Sequence, residues 1–392
     1  MSARNERRYY EVTDKKFRIT LFLKKNKLLE RLVLQSFNLL CYLIRKFYSS
    51  GTNENKGVVI IALHRLGDTV FCMPAIRQII REYSDEKITI VCFPETRPIL
   101  ELEFKKHNIV TIDKNSTWFN RRFARKESRN KINVLKPKII FDLTGIPLSA
   151  SLVYSVRSDC KVGMNIPALK NLYHHFTYIR EKPHLMDRYI EVVNLIVPLP
   201  DGNEFVSFPP MKKADGDIII HPFAIRKAKE WNLNNFIILA RKLSEDFNVK
   251  IVAPPEFIDQ EIVTEINLSG LKYIETKSVT ELISVLRDCS VMIGNDSGPV
   301  YIAAVLGKPT ITIYGPTNPS HSFPRGGTHK FIRHKLKCSP TYNQYCYTLA
   351  GMFCPSQECL EAIDVTTVYS EVVAFLKQIN ITPKPQIHNI IN

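Results

Sequence analysis

Short strand-like runs and helical stretches alternate along most of this 392-residue chain, stop at one loop rich in Pro, Asp, Gly and Lys, and then start again. Such alternation calls for parallel sheets, because each parallel connection must cross over and its helix covers a sheet face. Two runs of it mean two units, and the length agrees, since one core rarely grows beyond roughly 250 residues. Ligands bind such sheets at the carboxyl ends of the strands, so two units place a cleft between them. With 45% hydrophobic and 23% charged residues, the chain is neither intrinsically disordered nor a polytopic membrane protein.

In the first unit, residues 58–63, 87–93, 109–112 and 138–143 read as buried strands, and 69–83 and 184–197 as helices. The second offers strands at 217–221, 249–253, 271–274, 291–293 and 310–314, with helices at 233–246, 256–268, 278–287 and 299–306 between them. Residues 1–56 form a basic extension, 57–205 the first unit and 206–392 the second, with the 198–217 loop at the junction.

Three motifs fall where strands meet helices. His64, Arg65, Leu66, Gly67 and Asp68 follow the first strand. A carboxylate there faces the cleft, so Asp68 suits a general base; the alternative is an ordinary helix N-cap. Arg65 either orients an anion or is solvated. In the second unit, Arg226, Lys227 and Lys229 precede Trp231, and these cations would neutralise a diphosphate. The alternative is a solvated basic loop. Asp296, Ser297 and Gly298 end a later strand, with Pro299 in the first turn of the next helix. Free amides and the helix dipole favour phosphate there, though a well-capped turn without ligand has the same pattern. Tyr314, Gly315, Pro316 and Thr317 close the following strand on the same side.

Taken together, the R-x-G-D loop, the K-x-W segment, D-S-G followed by K-P and Y-G-P-T, and the segment HLMDRY (184–189) resemble glycosyltransferase family 9, the heptosyltransferases of lipopolysaccharide synthesis, over residues 57 to 380. The resemblance implies two facing Rossmann-like α/β domains of GT-B type, an acceptor domain followed by a nucleotide-sugar-binding domain. It also implies an inverting transfer, with heptose from ADP-heptose the leading donor, that needs no metal or other cofactor. Asp68 then matches the general base, Lys229 the phosphate-contacting lysine, and Asp296, Ser297, Gly298, Gly315 and Thr317 the donor-binding turns. One position departs: the family usually has histidine three residues after the D-S-G glycine, and this chain has Tyr301. A non-catalytic binding or scaffold protein of the same fold is the rival reading, and Tyr301 is the feature that favours it. Loss of Lys229 should weaken donor binding while leaving the free protein's melting temperature nearly unchanged.

The formal net charge of +16 favours an anionic partner. Nucleic acid fits poorly, because residues 1–56 alone hold 13 Lys and Arg against five Asp and Glu, and no recognition motif appears. The loop carrying Arg121, Arg122 and Arg125 is a candidate for holding an acidic acceptor; the alternative is a solvated loop. In the extension, Leu29, Val33, Phe37, Leu40, Ile44 and Tyr48 recur at helical spacing. The uncharged run, 32–44, is 13 residues against the roughly 20 needed to span a bilayer. Lying on an anionic membrane or packing on the chain's own domain both suit that pattern. The expected location is cytoplasmic, peripheral at the inner face of the cytoplasmic membrane. Finally, Cys338, Cys346, Cys354 and Cys359 stand within 22 residues at C-x7-C-x7-C-x4-C spacing. They could ligate structural Zn or Fe, although the spacing is looser than a C-x2-C knuckle; packing thiols are the alternative.

Overall fold

The computed structural model describes residues 27–48, 56–113, 117–118, 123–154, 156–178, 184–198, 208–209, 211, 216–346, 354 and 356–384. Two six-stranded parallel sheets organise it. In the first, β1 (Val58–Ile61), β2 (Ile88–Cys92), β3 (Asn108–Thr111), β4 (Ile139–Asp142), β5 (Cys160–Met164) and β6 (His175–Thr177) lie in the order 3-2-1-4-5-6. The second repeats that order with β7 (Ile218–His221), β8 (Val249–Ala253), β9 (Lys272–Glu275), β10 (Val291–Asn295), β11 (Thr310–Tyr314) and β12 (His329–Arg333), arranged 9-8-7-10-11-12. The central strands are apolar and buried on both faces, Val-Val-Ile-Ile in β1 and Ile-Ile-Ile-His in β7, as parallel sheets require. In each sheet the order reverses beside the first strand, between β1 and β4 and between β7 and β10. That switch point opens a crevice at the strand ends.

The halves meet through two helices. Helix α2 (Leu66–Glu82) follows β1, and α5 (Gly298–Val305) follows β10. Every residue of α5 from Pro299 to Val305 is buried, and a helix apolar all round must be enclosed. It lies between its own sheet and α2, so the core of the first unit continues through Phe71, Val300 and Tyr301 into the second. Helix α3 (Leu185–Val193) packs on α2 from the other side, α4 (Val279–Arg287) on α5, and α6 (Val365–Gln378) closes the core of the second sheet.

Helix α1 (Lys27–Tyr48) comes from the extension and lies on the first unit. Arg45 donates to the Tyr173 carbonyl at 2.5 Å, Asn171 Nδ2 to the Asn38 carbonyl at 3.1 Å, and the Ser158 amide to the Tyr48 carbonyl at 3.3 Å. The stripe expected from sequence does not stay on one face. Cys41 is buried, and Ile44 and Tyr48 are half-buried on the protein side, whereas Leu40 points outward with Leu39, Leu43 and Phe47. Each four-residue step turns 400°, so a stripe built on such steps drifts about 40° at a time around the helix. The Leu29, Val33 and Phe37 side chains lie outside the described residues. Among the described residues, no helix is long and apolar enough to cross a membrane.

Candidate active site

A cleft of about 980 Å³ opens between the carboxyl ends of the two sheets. From the first unit it is lined by Arg65, Gly67, Asp68 and Phe71; from the second by Lys229, Asp296, Ser297, Gly298, Tyr301 and Thr317. Three motifs far apart in sequence therefore share one cavity. Asp68 stands in the first turn of α2, not at its cap: the N-cap is Arg65, and no side chain caps the turn. The cap alternative for Asp68 is thereby replaced by a carboxylate presented to the cleft. Gly67 and Gly298 both have ordinary negative φ, so left-handed backbone is not why glycine stands there. The reason is proximity. A Cβ on Gly67 would come within 3.0 Å of the Tyr301 ring, and one on Gly298 within 2.9 Å of Leu66 Cβ.

Lys229 reaches the cleft because the residue two places on is fixed in the core. Trp231 is buried, its indole N–H donates to the Ile363 carbonyl at 2.9 Å, and its amide donates to Asn295 Oδ1 at 2.9 Å. Asn295 closes the same corner by donating to the Pro222 carbonyl at 2.6 Å. The Lys229 ammonium then meets Asp296 Oδ2 at 2.5 Å, and the Tyr301 hydroxyl donates to Asp296 Oδ1. Burial alone would raise the Asp296 carboxyl, but the Lys229 charge and these hydrogen bonds outweigh it, and its pKa lies below the usual carboxylate range. Asp68 goes the other way. Burial pushes its carboxyl up, against Lys229, Arg65 and Arg188, which pull it down, while the Asp296 charge adds to the rise.

Among the described residues, some buried polar atoms of the cleft lack hydrogen-bond partners. Ser297 Oγ, at the N-cap of α5, and Arg226 Nη1 are both buried and unpaired. An unsatisfied buried polar group costs free energy, so both mark places where a polar ligand belongs. The Tyr345 ring covers this corner, 4.9 Å from the Arg226 guanidinium and 5.8 Å from the Lys229 ammonium. Its segment is held by backbone bonds from Asn318 N to the Gln344 carbonyl and from Cys346 N to the Pro316 carbonyl, so Gln344 and Tyr345 also line the cleft. Sequence reading missed Tyr345, which stands in a loop without strand or helix pattern.

It also gave HLMDRY no task. In the structure, three of its residues clasp the second unit. With Nδ1 of His184 accepting from the Met186 amide, Nε2 carries the proton and donates to the Phe323 carbonyl at 2.9 Å. Asp187 makes a bidentate pair with Arg325 at 2.5 and 2.7 Å, and Arg188 Nη2 meets His321 Nδ1 at 2.8 Å. The Arg188 charge also bears on Asp68 and Tyr345, putting it at the edge of the reacting region.

Other expected site residues lie elsewhere. Gly315 packs against Leu360 outside the cleft lining, where a Cβ would meet that side chain at 2.7 Å. Arg125 is exposed at the N-cap of the helix Lys126–Asn133, away from the cleft, and Arg121 and Arg122 lie outside the described residues. The four C-terminal cysteines are free thiols, and among the described residues no group of three or more His, Cys, Asp or Glu could hold a metal. Cys346 is carried toward the donor turn by its bond to Pro316, Cys359 packs on the core of the second sheet, and Cys338 is exposed. Cys359 nonetheless lies within electrostatic reach of the other three thiols, which add to the effect of burial in pushing its pKa up to about 11.

Comparison with known proteins agrees with this architecture. A sequence model of glycosyltransferase family 9 (heptosyltransferase) matches residues 138–350. Lipooligosaccharide heptosyltransferase 2 of Campylobacter jejuni is 22% identical over 300 residues, 72% of this chain and 88% of that protein. The structure of Escherichia coli ADP-heptose lps heptosyltransferase II superposes with a TM-score of 0.64 at 18% identity, covering 83% of this chain and 99% of that one. E. coli heptosyltransferase WaaC with ADP superposes with a TM-score of 0.63 at 17% identity, covering 81% and 99%.

Proposed function

The chain belongs to glycosyltransferase family 9 and is a glycosyltransferase, and from that membership we propose that it moves heptose from ADP-heptose onto a lipopolysaccharide-type glycan with inversion at the anomeric carbon. The observation that carries this reading is the placing of two oppositely shifted carboxylates on facing walls of one cleft, with a cation between them. Asp68 is the base. It accepts the proton of the acceptor hydroxyl as that oxygen bonds the anomeric carbon and the bond from that carbon to the diphosphate oxygen breaks. A carboxylate raised by burial is a stronger base than a free one at ~3.9, which helps proton transfer late in the reaction. Inversion follows, because attack and departure occur on opposite faces in a single displacement.

Breaking the bond to the anomeric carbon leaves one further negative charge on the departing nucleoside diphosphate. Lys229, Arg226, Ser297 Oγ and the amides at the start of α5 are fixed before the reaction and meet that charge without reorganising. This protein set takes the part that a metal ion plays in other transferases, so the reaction needs none. Tyr301, in place of the family's histidine, serves as a positioning residue: its hydroxyl holds Asp296, which holds Lys229. That replaces an ionisable ring by a neutral donor without losing the hydrogen bond. A lipid-linked acceptor puts the enzyme at the inner face of the cytoplasmic membrane, with the acceptor on the side of the first unit.

The test is incubation with ADP-heptose and heptose-free lipopolysaccharide core acceptor in EDTA, with the product read by mass spectrometry. A mass increase of one heptose is expected. Transfer that requires added Mg²⁺, or donor hydrolysis without acceptor product, would reject this mechanism.

A further inference from the structure

Helix α1 is apolar on two faces, and its own domain covers one of them. The inner face carries Cys41, Ile44 and Tyr48. The outer carries Leu39, Leu40, Leu43 and Phe47, exposed to 59%, 51%, 53% and 68%. At 100° per residue these four fall within one arc of about 100°, the width of a buried helical stripe. Four large side chains side by side form a contiguous patch of the kind that marks an interaction surface, unlike single exposed apolar residues.

We propose that this outer face docks the enzyme on an anionic lipid bilayer, with α1 lying flat between the membrane and the first unit. Charge selects this occupant. Lys46 is exposed beside the stripe, and Lys27 and Arg31 belong to the same helix, whereas Arg45 faces the body through its bond to Tyr173. The whole extension holds 13 basic against five acidic residues. A second copy of the chain would bring these cations against each other, whereas acidic headgroups neutralise them at about 1 kcal/mol each. The stripe sinks into the headgroup boundary while the cations stay at the phosphate level. The bonds from Arg45, Asn171 and Ser158 fix α1 to the body, so docking also fixes the orientation of the first unit toward the surface.

The test is flotation of the full chain with vesicles of phosphatidylcholine alone or mixed with phosphatidylglycerol, at low and high salt, with no turnover measured. Its failure would therefore leave the sugar-transfer reading intact. Wild type should float with the mixed vesicles and release at high salt. The double variant Leu43→Glu/Phe47→Glu, at two exposed positions, should keep its melting temperature and lose at least about 100-fold in vesicle partitioning. Lys46→Glu should lose about fivefold to tenfold, all of it at low salt. Floating of the double variant like wild type, or equal wild-type binding to neutral vesicles at low salt, would overturn the proposal. So would a wild-type dimer in sedimentation that becomes monomeric in the double variant, since the face would then belong to a second copy.

Discussion

The two halves of this protein have one topology and opposite carboxylates. Each is a six-stranded parallel sheet ordered 3-2-1-4-5-6 about its first strand, and each sends an aspartate to the cleft from the turn that starts a helix. Asp296 has an ammonium at 2.5 Å and hydroxyls at its other oxygen, and its pKa falls. Asp68 has cations near it, but burial prevails, and its pKa rises. Two strand-end positions, after the first strand of one sheet and the fourth of the other, thus yield a proton acceptor on one wall and a fixed anion on the other. Backbone topology decides where a side chain stands; its nearest partners decide what it does.

The largest effect should come from the rising carboxylate. Asp68→Asn is expected to cost about 10²–10⁴-fold in kcat, while donor affinity stays within a few-fold. The pH dependence sharpens this. A raised Asp binds its proton more tightly in the folded state than in the unfolded one. Stability therefore falls as pH rises from the ordinary ~3.9 through the folded value, and kcat/KM rises through that same folded value. Asp68→Asn should abolish both trends and be at least as stable as wild type at neutral pH. A variant that retains wild-type turnover, or melts lower at pH 7, would remove the distinction between the two aspartates.

Much of this was legible in the sequence, for a physical reason. Strands β1, β2, β7, β8 and β11 are apolar runs closed by turn residues, and their positions followed from the pattern of the sequence. Strands β5, β6 and β12 were missed because CKVGM, HFT and HKFIR carry Lys, Gly, His and Arg. Lys161 in β5 is fully buried, with its pKa pushed down to about 8 by burial, a residue that periodicity assigns to a surface. The cleft's motif residues were found because glycine and aspartate at strand ends have few other uses. The clasp of His184, Asp187 and Arg188, and the cover of Tyr345, escaped because they join residues 133 to 139 places apart or stand in irregular loop.

A second experiment attacks the falling carboxylate. From sequence, Lys229 is a phosphate ligand whose loss leaves the free protein untouched; its ion pair with buried Asp296 changes that expectation. Lys229→Ala strips the partner from a carboxylate that is 3% exposed, and breaking a buried pair from one side costs about 3 kcal/mol or more. The melting temperature should therefore drop by several degrees at pH 7, together with donor affinity. The sign with pH is opposite to that of Asp68. A depressed carboxyl supplies stability above the unfolded value of ~3.9, lost as pH falls through the folded one, so the deficit of Lys229→Ala should shrink in acid. An unchanged melting temperature at pH 7 would mean that the pair contributes nothing to the fold.

The smallest effect belongs to Tyr301→Phe, and it is the most selective. The ring stays, so its edge-on contact with Phe71 at 4.6 Å and its fit against Gly67 are kept, and α2 should not move. What is lost is the hydroxyl that donates to Asp296 and lies 3.2 Å from the Tyr314 hydroxyl. A hydrogen bond to a charged group is worth about 1.5–3 kcal/mol, and Ser322 Oγ, 3.4 Å from the same oxygen, can recover part of it. We expect a stability loss near 1 kcal/mol and, as Lys229 loosens, a rise of a few-fold in donor KM with at most a few-fold loss in kcat, far short of that of Asp68→Asn. With one stabilising bond gone, the Asp296 carboxyl should titrate higher, moving the acid limb of stability upward in pH. Tyr301→His, which installs the family's residue, should restore KM only where the imidazole carries a proton on the nitrogen facing Asp296, adding a pH dependence near neutrality that wild type lacks. A kcat loss in Tyr301→Phe on the scale of Asp68→Asn, with KM unchanged, would show that the two walls act as one unit and that position alone does not separate their roles.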